Sequence, residues 1–525
     1  MKSPFTWIAL FILLAAGAAR AQETDWEAYA GQRIATIHIL ASEVFDPQEP
    51  GEDLRLMGWA NALHMVTRDA VIRRELLFQE GDELVPRLVA RSERNLRAIG
   101  VFQDADIDVE PGPEGLTLFV RTADRWATKV ITDLSSEGSI TRLRLGLENI
   151  NFLGRAKQFG GVVEASTDVD AFNLFFRDPR LLGSRWMLDT GYFHTNLSEG
   201  QRLGVEYPFY SDDVRWGGGY VHYGDSGDRR VFFGGDRVDS LFVDERRNEA
   251  FVAHQIGHGT LQRIGVLGSH QRLSGDVGQH RASVGVSWAI MRREFRPMRR
   301  VDLFGVVEDV AAGWMLQVLA GADLQSLGAD DDRPLWRADG TISWFLGRGG
   351  FLGFQVRHHG FAQRGAVQNS RLLLESWGFW KSEAQTLAWS LGAVAFEGEP
   401  EYVRMTLGGD ARLRGYPARQ QTGTRALWAN VEERLFSNLR LYFLHLGAAV
   451  FVDVGQAWDA PVHPSWRGFD IGTGAGLRIG NNKSGNGILR VDVAHGRDGW
   501  ALSLSSGSFF RAARSLVFPS VSLFQ

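Results

Sequence analysis

No cysteine occurs in the chain, which excludes a disulfide framework, a cysteine nucleophile and an acylated N-terminal cysteine. Basic residues are not in surplus either: the formal net charge is -5 over 525 residues, so nothing points to nucleic acid. Beyond Ala21 no uninterrupted apolar run reaches the ~20 residues with which a helix crosses a bilayer. If the mature chain crosses a membrane, it must do so as a closed barrel, because lipid leaves no other partner for backbone N–H and C=O groups. Proline is sparse at 15 residues, whereas 61 glycines, 33 phenylalanines and 17 tryptophans are present, the balance of a large β-protein with aromatic belts.

The first segment reads as an export signal spanning residues 1–21. Lys2 precedes an apolar run from Trp7 to Ala16, and Ala19-Arg20-Ala21 puts small residues where a signal peptidase reads them. Residues 31–122 then mix helical and strand periodicity. Ile34, Ile37 and Ile39 mark a strand. Thr67 is an expected N-cap for a helix carrying Val71, Ile72 and Leu76, and a second helix is expected between Pro86 and Gly100. Two alternating segments about Pro111–Gly115 complete a β-α-α-β-β order.

From Trp126 to the end, residues 126–525, segments of about ten residues alternate in polarity between glycine-rich or charged turns, the repeated signature of a transmembrane barrel. At roughly 20 to 25 residues per strand and turn, the span predicts about sixteen antiparallel strands. The fold class expected is therefore mainly β: a transmembrane β-barrel of about 16 strands after one small α+β domain. Trp500 to Phe510 reads as a final strand, and Val517, Val521 and Leu523 offer a further one interrupted by Pro519; either could close the barrel.

No catalytic set stands out. Gly224-Asp225-Ser226-Gly227 has the letters of a serine-protease nucleophile, but Asp228 follows in place of glycine and no histidine motif accompanies it. Asp330-Asp331-Asp332 lacks the glycine and terminal glutamate of a calcium loop, and His358-His359 and the histidines from His254 to His280 lack defined ligand spacing. The chain is expected not to be an enzyme and to need no cofactor or metal.

The most informative stretch is Leu413-Arg414-Gly415-Tyr416, followed by Ala429-Asn430-Val431-Glu432 and by Phe451-Val452-Asp453-Val454-Gly455. Glycine and proline on either side of Tyr416 read as a loop between strands. Period-two alternation puts Leu427, Ala429 and Val431 on one strand face and Trp428, Asn430, Glu432 and Arg434 on the other. In the next strand the valines face lipid, which turns Asp453 inward.

In order and spacing these motifs resemble the outer-membrane protein assembly barrels of the BamA/TamA type, the bacterial surface antigen family. Asn149-Ile150-Asn151-Phe152-Leu153-Gly154 resembles that family's turn after the first barrel strand, and Phe176-Arg177-Asp178-Pro179-Arg180 the tip of a later hairpin. The β-α-α-β-β segment, with Leu76–Asp82 and Ser92–Arg97, resembles a single periplasmic POTRA domain. The chain departs from the family in having room for one such module, where the essential assembly barrel has five and two-partner secretion barrels have two.

The resemblance implies an interior lock. The loop folds into the barrel, and Arg414, with Gly415 and Tyr416, meets Glu432 and Asp453 on the wall, a contact expected to contribute about 1 to 3 kcal/mol in a watery lumen. It further implies residence in the bacterial outer membrane with the N-terminal module in the periplasm. Implied partners are the lipid bilayer, unfolded outer-membrane protein clients and periplasmic chaperones; nucleic acid is not among them. Client strands would be assembled, inserted or translocated through the POTRA edge and the barrel seam. The alternative is a passive pore or structural surface antigen that handles no client.

Overall fold

A computed structural model describes residues 25–510 apart from 43, 46–63, 138–139, 168, 234–235, 305–306, 364, 401–402, 410–411, 443, 482–487, 498 and 508. The expected export signal, residues 1–21, and the alternative closing segment, residues 511–525, lie outside the described residues. Among those described, no helix is long and apolar enough to cross a membrane.

The N-terminal module consists of β1 (Ile34–Ser42), α1 (Asp69–Glu75), α2 (Pro86–Ile99), β2 (Phe102–Gly112) and β3 (Gly115–Asp124). Its sheet has the order β1-β3-β2, with β1 parallel and β2 antiparallel to β3. Pro86 sits in the first turn of α2, where its missing N–H costs nothing, and Gly100 ends the helix in the left-handed conformation at φ 81°. Ile34, Ile72, Leu96, Leu116 and Leu118 are fully buried between the helices and the sheet. Thr67 is not the expected helix cap. Its amide and hydroxyl both donate to Asp124 Oδ2, at 2.8 and 3.0 Å, and Arg68 precedes the first helical residue.

The barrel overturns the expected strand number. Twenty antiparallel strands, from Thr128–Glu137 to Gly499–Ser506, close into one barrel. The estimate of about sixteen assumed uniform repeats. In fact Lys157–Ser166, Ala171–Asp178, Met187–Thr195 and Ser198–Tyr207 are short strands, most of them joined by tight turns, so this fifth of the barrel uses far fewer residues per strand. The small region ahead of the barrel is a three-stranded sheet with two short helices; nothing in it identifies the POTRA family, so that part of the expected fold class is withdrawn. The turn at Phe152–Lys157 follows the second barrel strand, not the first.

Alternation sorts the side chains as a lipid-spanning wall would. Leu143, Leu145, Leu147, Val266, Val286, Val356, Val450 and Val452 are exposed on the outer face, while Asp323, Arg333, Asp339, Glu432 and Asp453 are buried within. Inward charges meet inward charges: Asp323 accepts from Arg281 at 3.1 Å and from Arg333 at 2.9 Å.

The module is tied to the barrel end at which the first strand starts and the last one finishes. Arg97 of α2 forks onto Asp309, with Nε and Nη2 2.8 and 3.0 Å from its two oxygens. Arg180 pairs with Glu75 of α1, and Asn151 donates to Thr67 Oγ1 at 2.8 Å.

Burial pushes the Glu93 carboxyl up to about 7, against the pull of Arg97. Its pKa is higher folded than unfolded, so the folded module binds more protons between about pH 4.5 and 7, and its stability falls as pH rises through that window. The full loss is on the order of 3 kcal/mol. Hydrogen exchange in α2, corrected for its intrinsic pH dependence, is expected to show lower protection at pH 8 than at pH 5. Glu93→Gln should flatten that dependence, and an unchanged slope would refute the assignment.

Candidate functional site: an interior lock beside a short seam

The chain between the strands Gln385–Glu397 and Arg425–Leu441 leaves the barrel end opposite the N-terminal module and folds back into the lumen. Within it Met405–Leu407 pairs with Gln421–Gly423 as a small hairpin, and Leu407, Leu413 and Tyr416 are buried against Trp428 and Ala426. This apolar anchorage carries Arg414 to the wall.

Arg414 is 3% exposed, and its side-chain donors are directed at acidic wall residues. Nε and Nη2 donate to the two oxygens of Asp453 at 2.7 and 3.0 Å, and Nη1 donates to Glu432 Oε2 at 2.8 Å. The backbone N–H of Arg414 also donates to Asp453 Oδ2, at 3.2 Å. A planar fork on one carboxylate with a third contact on another fixes direction as well as distance, which a lysine cannot reproduce. Gly415 is required twice over: its φ is +88°, and a Cβ there would lie 3.0 Å from the backbone carbon of His495 on the wall. The Tyr416 hydroxyl donates to the carbonyl of Ile471 at 3.0 Å and accepts from the amides of Ile471 and Arg497 at 3.1 Å each.

All five residues singled out in the sequence thus lie together in one place. Nearby arginines are engaged elsewhere: Arg412 approaches Glu375 at 3.4 Å, and Arg404 Nη1 donates to both oxygens of Asp459, at 2.8 and 2.7 Å.

The network is larger than the motif. Glu432 also accepts from Arg434 at 2.9 Å and from Arg478 at 3.3 Å, and Arg434 continues to Asp302. Arg478 pairs with Asp492, which lies 3.6 Å from Arg414 and 3.2 Å from Arg490. Arg490 in turn donates to the Ser505 hydroxyl on the last strand at 3.0 Å. Sequence reasoning missed Arg478, Arg490 and Asp492, although Arg490 and Asp492 share the inward parity of Ile488–Gly496 and alternation would have found them. Phe451 and Phe509 hold the Arg414 guanidinium between their rings, 3.4 and 4.0 Å from the ring centres. Phe509 had no signal of this kind in the sequence.

Barrel closure lies close by. The last strand, Gly499–Ser506, pairs with its predecessor along its whole length, yet among the described residues it pairs with the first strand only at Leu502–Ser136, Ser503–Ser135 and Leu504–Leu134. Thr128–Thr132 has no register partner on that side among the described residues.

The sites read in the sequence as catalytic or metal look-alikes have structural surroundings of their own. Asp225 accepts from Tyr223 and Arg229 within its own strand, and His358 receives the Trp336 indole N–H at 3.2 Å. Among the described residues no group of three or more His, Asp or Glu side chains is placed to hold a metal.

No family model and no curated protein sequence matches the chain. Solved structures with a related course include BamA from Haemophilus ducreyi lacking POTRA domains 1–3, at 13% identity and TM-score 0.38, covering 91% of this chain and 85% of that one. CdiB from Acinetobacter baumannii gives 13% identity and TM-score 0.42, covering 91% and 74%. CdiB from Escherichia coli gives 12% identity and TM-score 0.46, covering 92% and 79%. Likeness at this level assigns the chain to no family.

Proposed function

We propose that the protein is an outer-membrane barrel that assembles, inserts or translocates client proteins, handling client strands at its seam. The observation that carries this reading is the short pairing between the last and first strands, which leaves the backbone groups of Thr128–Thr132 without a strand neighbour on one side among the described residues. Unpaired backbone groups cost several kcal/mol each in hydrocarbon, so an entering strand that pairs with such an edge gains what lipid cannot supply. The driving force is local hydrogen bonding and burial, and no nucleotide is consumed. Meanwhile the lock would keep the interior of the wall rigid while the seam moves.

Depleting the protein from its host and comparing the outer-membrane proteome tests the reading. Loss of other barrel proteins is expected. Loss of small-solute permeability alone, with other barrels at normal levels, would replace this reading by that of a passive pore.

A further inference from the structure

One hairpin leaves the barrel wall at the module end. Gln279–Arg299 pairs with its predecessor, Thr260–Gly275, as far as Arg292 opposite Thr260, and Val307–Asp323 pairs with its successor, Arg333–Leu346, from Gly313 opposite Ser343. The two strands go on pairing with each other to Arg299 opposite Val307. Residues 293–299 and 307–312 thus depart as a two-stranded ribbon, which at ~3.3 Å per residue reaches about 20 Å. Gly313 sits at the point of departure with φ +135°, and a Cβ there would clash with the Arg292 carbonyl.

The ribbon crosses the lumen. Its inner face lays Met298, Val310 and Ala312 against Phe351, Phe379 and Ala388 of the inner wall. Its tip goes further: Phe304 is buried against Phe436 and Ile488, and its ring fills a socket in which Gly447 and Gly480 leave no room for a Cβ. The strands that carry those four residues stand five to eight places further round the barrel than Val307–Asp323. The Thr386 hydroxyl donates to the Arg300 carbonyl at 2.7 Å, and Arg434 Nη1 donates to the Val301 carbonyl at 3.0 Å. Glu308 accepts from the amides of Val301 and Asp302 at 2.9 and 3.1 Å, which gives the tip a shape of its own.

The other face of the ribbon meets the module. Arg97 of α2 forks onto Asp309, the Arg94 guanidinium lies 4.8 Å from the centre of the Phe295 ring, and Asp104 of β2 accepts from Arg299 at 3.0 Å. Each contact named between ribbon and wall uses a side chain on at least one partner, so a swing about Gly313 leaves the register of the barrel intact. We propose that the ribbon is a gate: seated, it closes the module end of the lumen beneath the lock, and released, it turns about Gly313 and opens that end. The clamp that keeps it seated is α2, so module and socket bias one two-state element. The gate does not rest on the reading of the seam, and no client enters its test.

The test uses thiol modification of the full-length barrel in detergent by a charged maleimide, with no native cysteine to compete. Thr386→Cys is the reporter, a fully buried position beneath Arg300. Ser283→Cys, buried beside Asp323 at the opposite end of the barrel, reports general loosening. Arg97→Gln and Asp309→Asn break the clamp from its two sides and leave the tip unaltered, whereas Phe304→Ala empties the socket and leaves the clamp. Each is expected to speed modification at Thr386→Cys by roughly threefold to thirtyfold, with Ser283→Cys as slow as in the parent. An unchanged Thr386→Cys rate in both clamp variants would overturn the gate, whatever Phe304→Ala shows. A rise at both reporters alike would overturn it too, since the whole barrel would then be loosening and not one ribbon.

Discussion

Replacing Arg414 by alanine is expected to lower barrel stability by about 3 to 5 kcal/mol, the cost of breaking a buried ion pair from one side. This exceeds the 1 to 3 kcal/mol anticipated for a watery lumen, because the structure buries the group rather than bathing it. The loss is unequal between the two acids. Glu432 retains Arg434 and Arg478, whereas Asp453 keeps only the amide of Asn430, at 2.8 Å, among its side-chain donors and loses both arms of the fork. Arg414→Ala should therefore shift the temperature of heat-modifiability on gels downward sharply. Arg414→Lys should fall between, since it restores a charge without the fork or the stacking plane. Adding Asp453→Asn to Arg414→Ala should recover part of the loss by removing the orphaned charge, so the double variant is expected to be less damaged than the sum of the singles. Equal stability of Arg414→Ala and the parent would reduce Arg414 to an ordinary loop arginine.

Which parts of this were legible in the sequence follows from periodicity. Strand alternation has a period of two, so one lipid-facing run of valines fixes the inward direction of Asp453, and the same logic fixes Glu432. That Arg414 reaches both came from motif resemblance, because no local rule says where a long loop folds. Strand number was not legible: it depends on turn lengths, and the tight connections between Lys157 and Tyr207 carry no signal that separates them from bends within longer strands. Thr67 misled for a related reason. Its hydroxyl and amide serve a distant buried carboxylate, Asp124, and tertiary hydrogen bonding outweighed a local capping preference. The seam escaped as well. Trp500 to Phe510 reads as a single strand, but the strand ends at Ser506; Gly507 makes one more backbone bond, to the Ile488 carbonyl at 2.7 Å, and its φ of 90° breaks the run before Phe509 and Phe510.

The account's second large effect concerns the seam. A last strand fastened to the first cannot part from it to admit an incoming strand, whatever the state of the lock. Leu134 and Leu504 are register partners near the lower limit of that pairing, so a disulfide between Leu134→Cys and Leu504→Cys fastens the seam where opening would begin. Because the parent has no cysteine, each single-cysteine variant serves as its own oxidation control.

The measurement that bears most directly on the central claim is insertion of an unfolded barrel client into lipid vesicles containing this double variant, oxidised and then reduced. Insertion at background level when oxidised, with recovery of most of the parental rate on reduction, is the predicted result. Insertion at the parental rate with the disulfide fully formed would contradict the claim that client strands are handled at this seam.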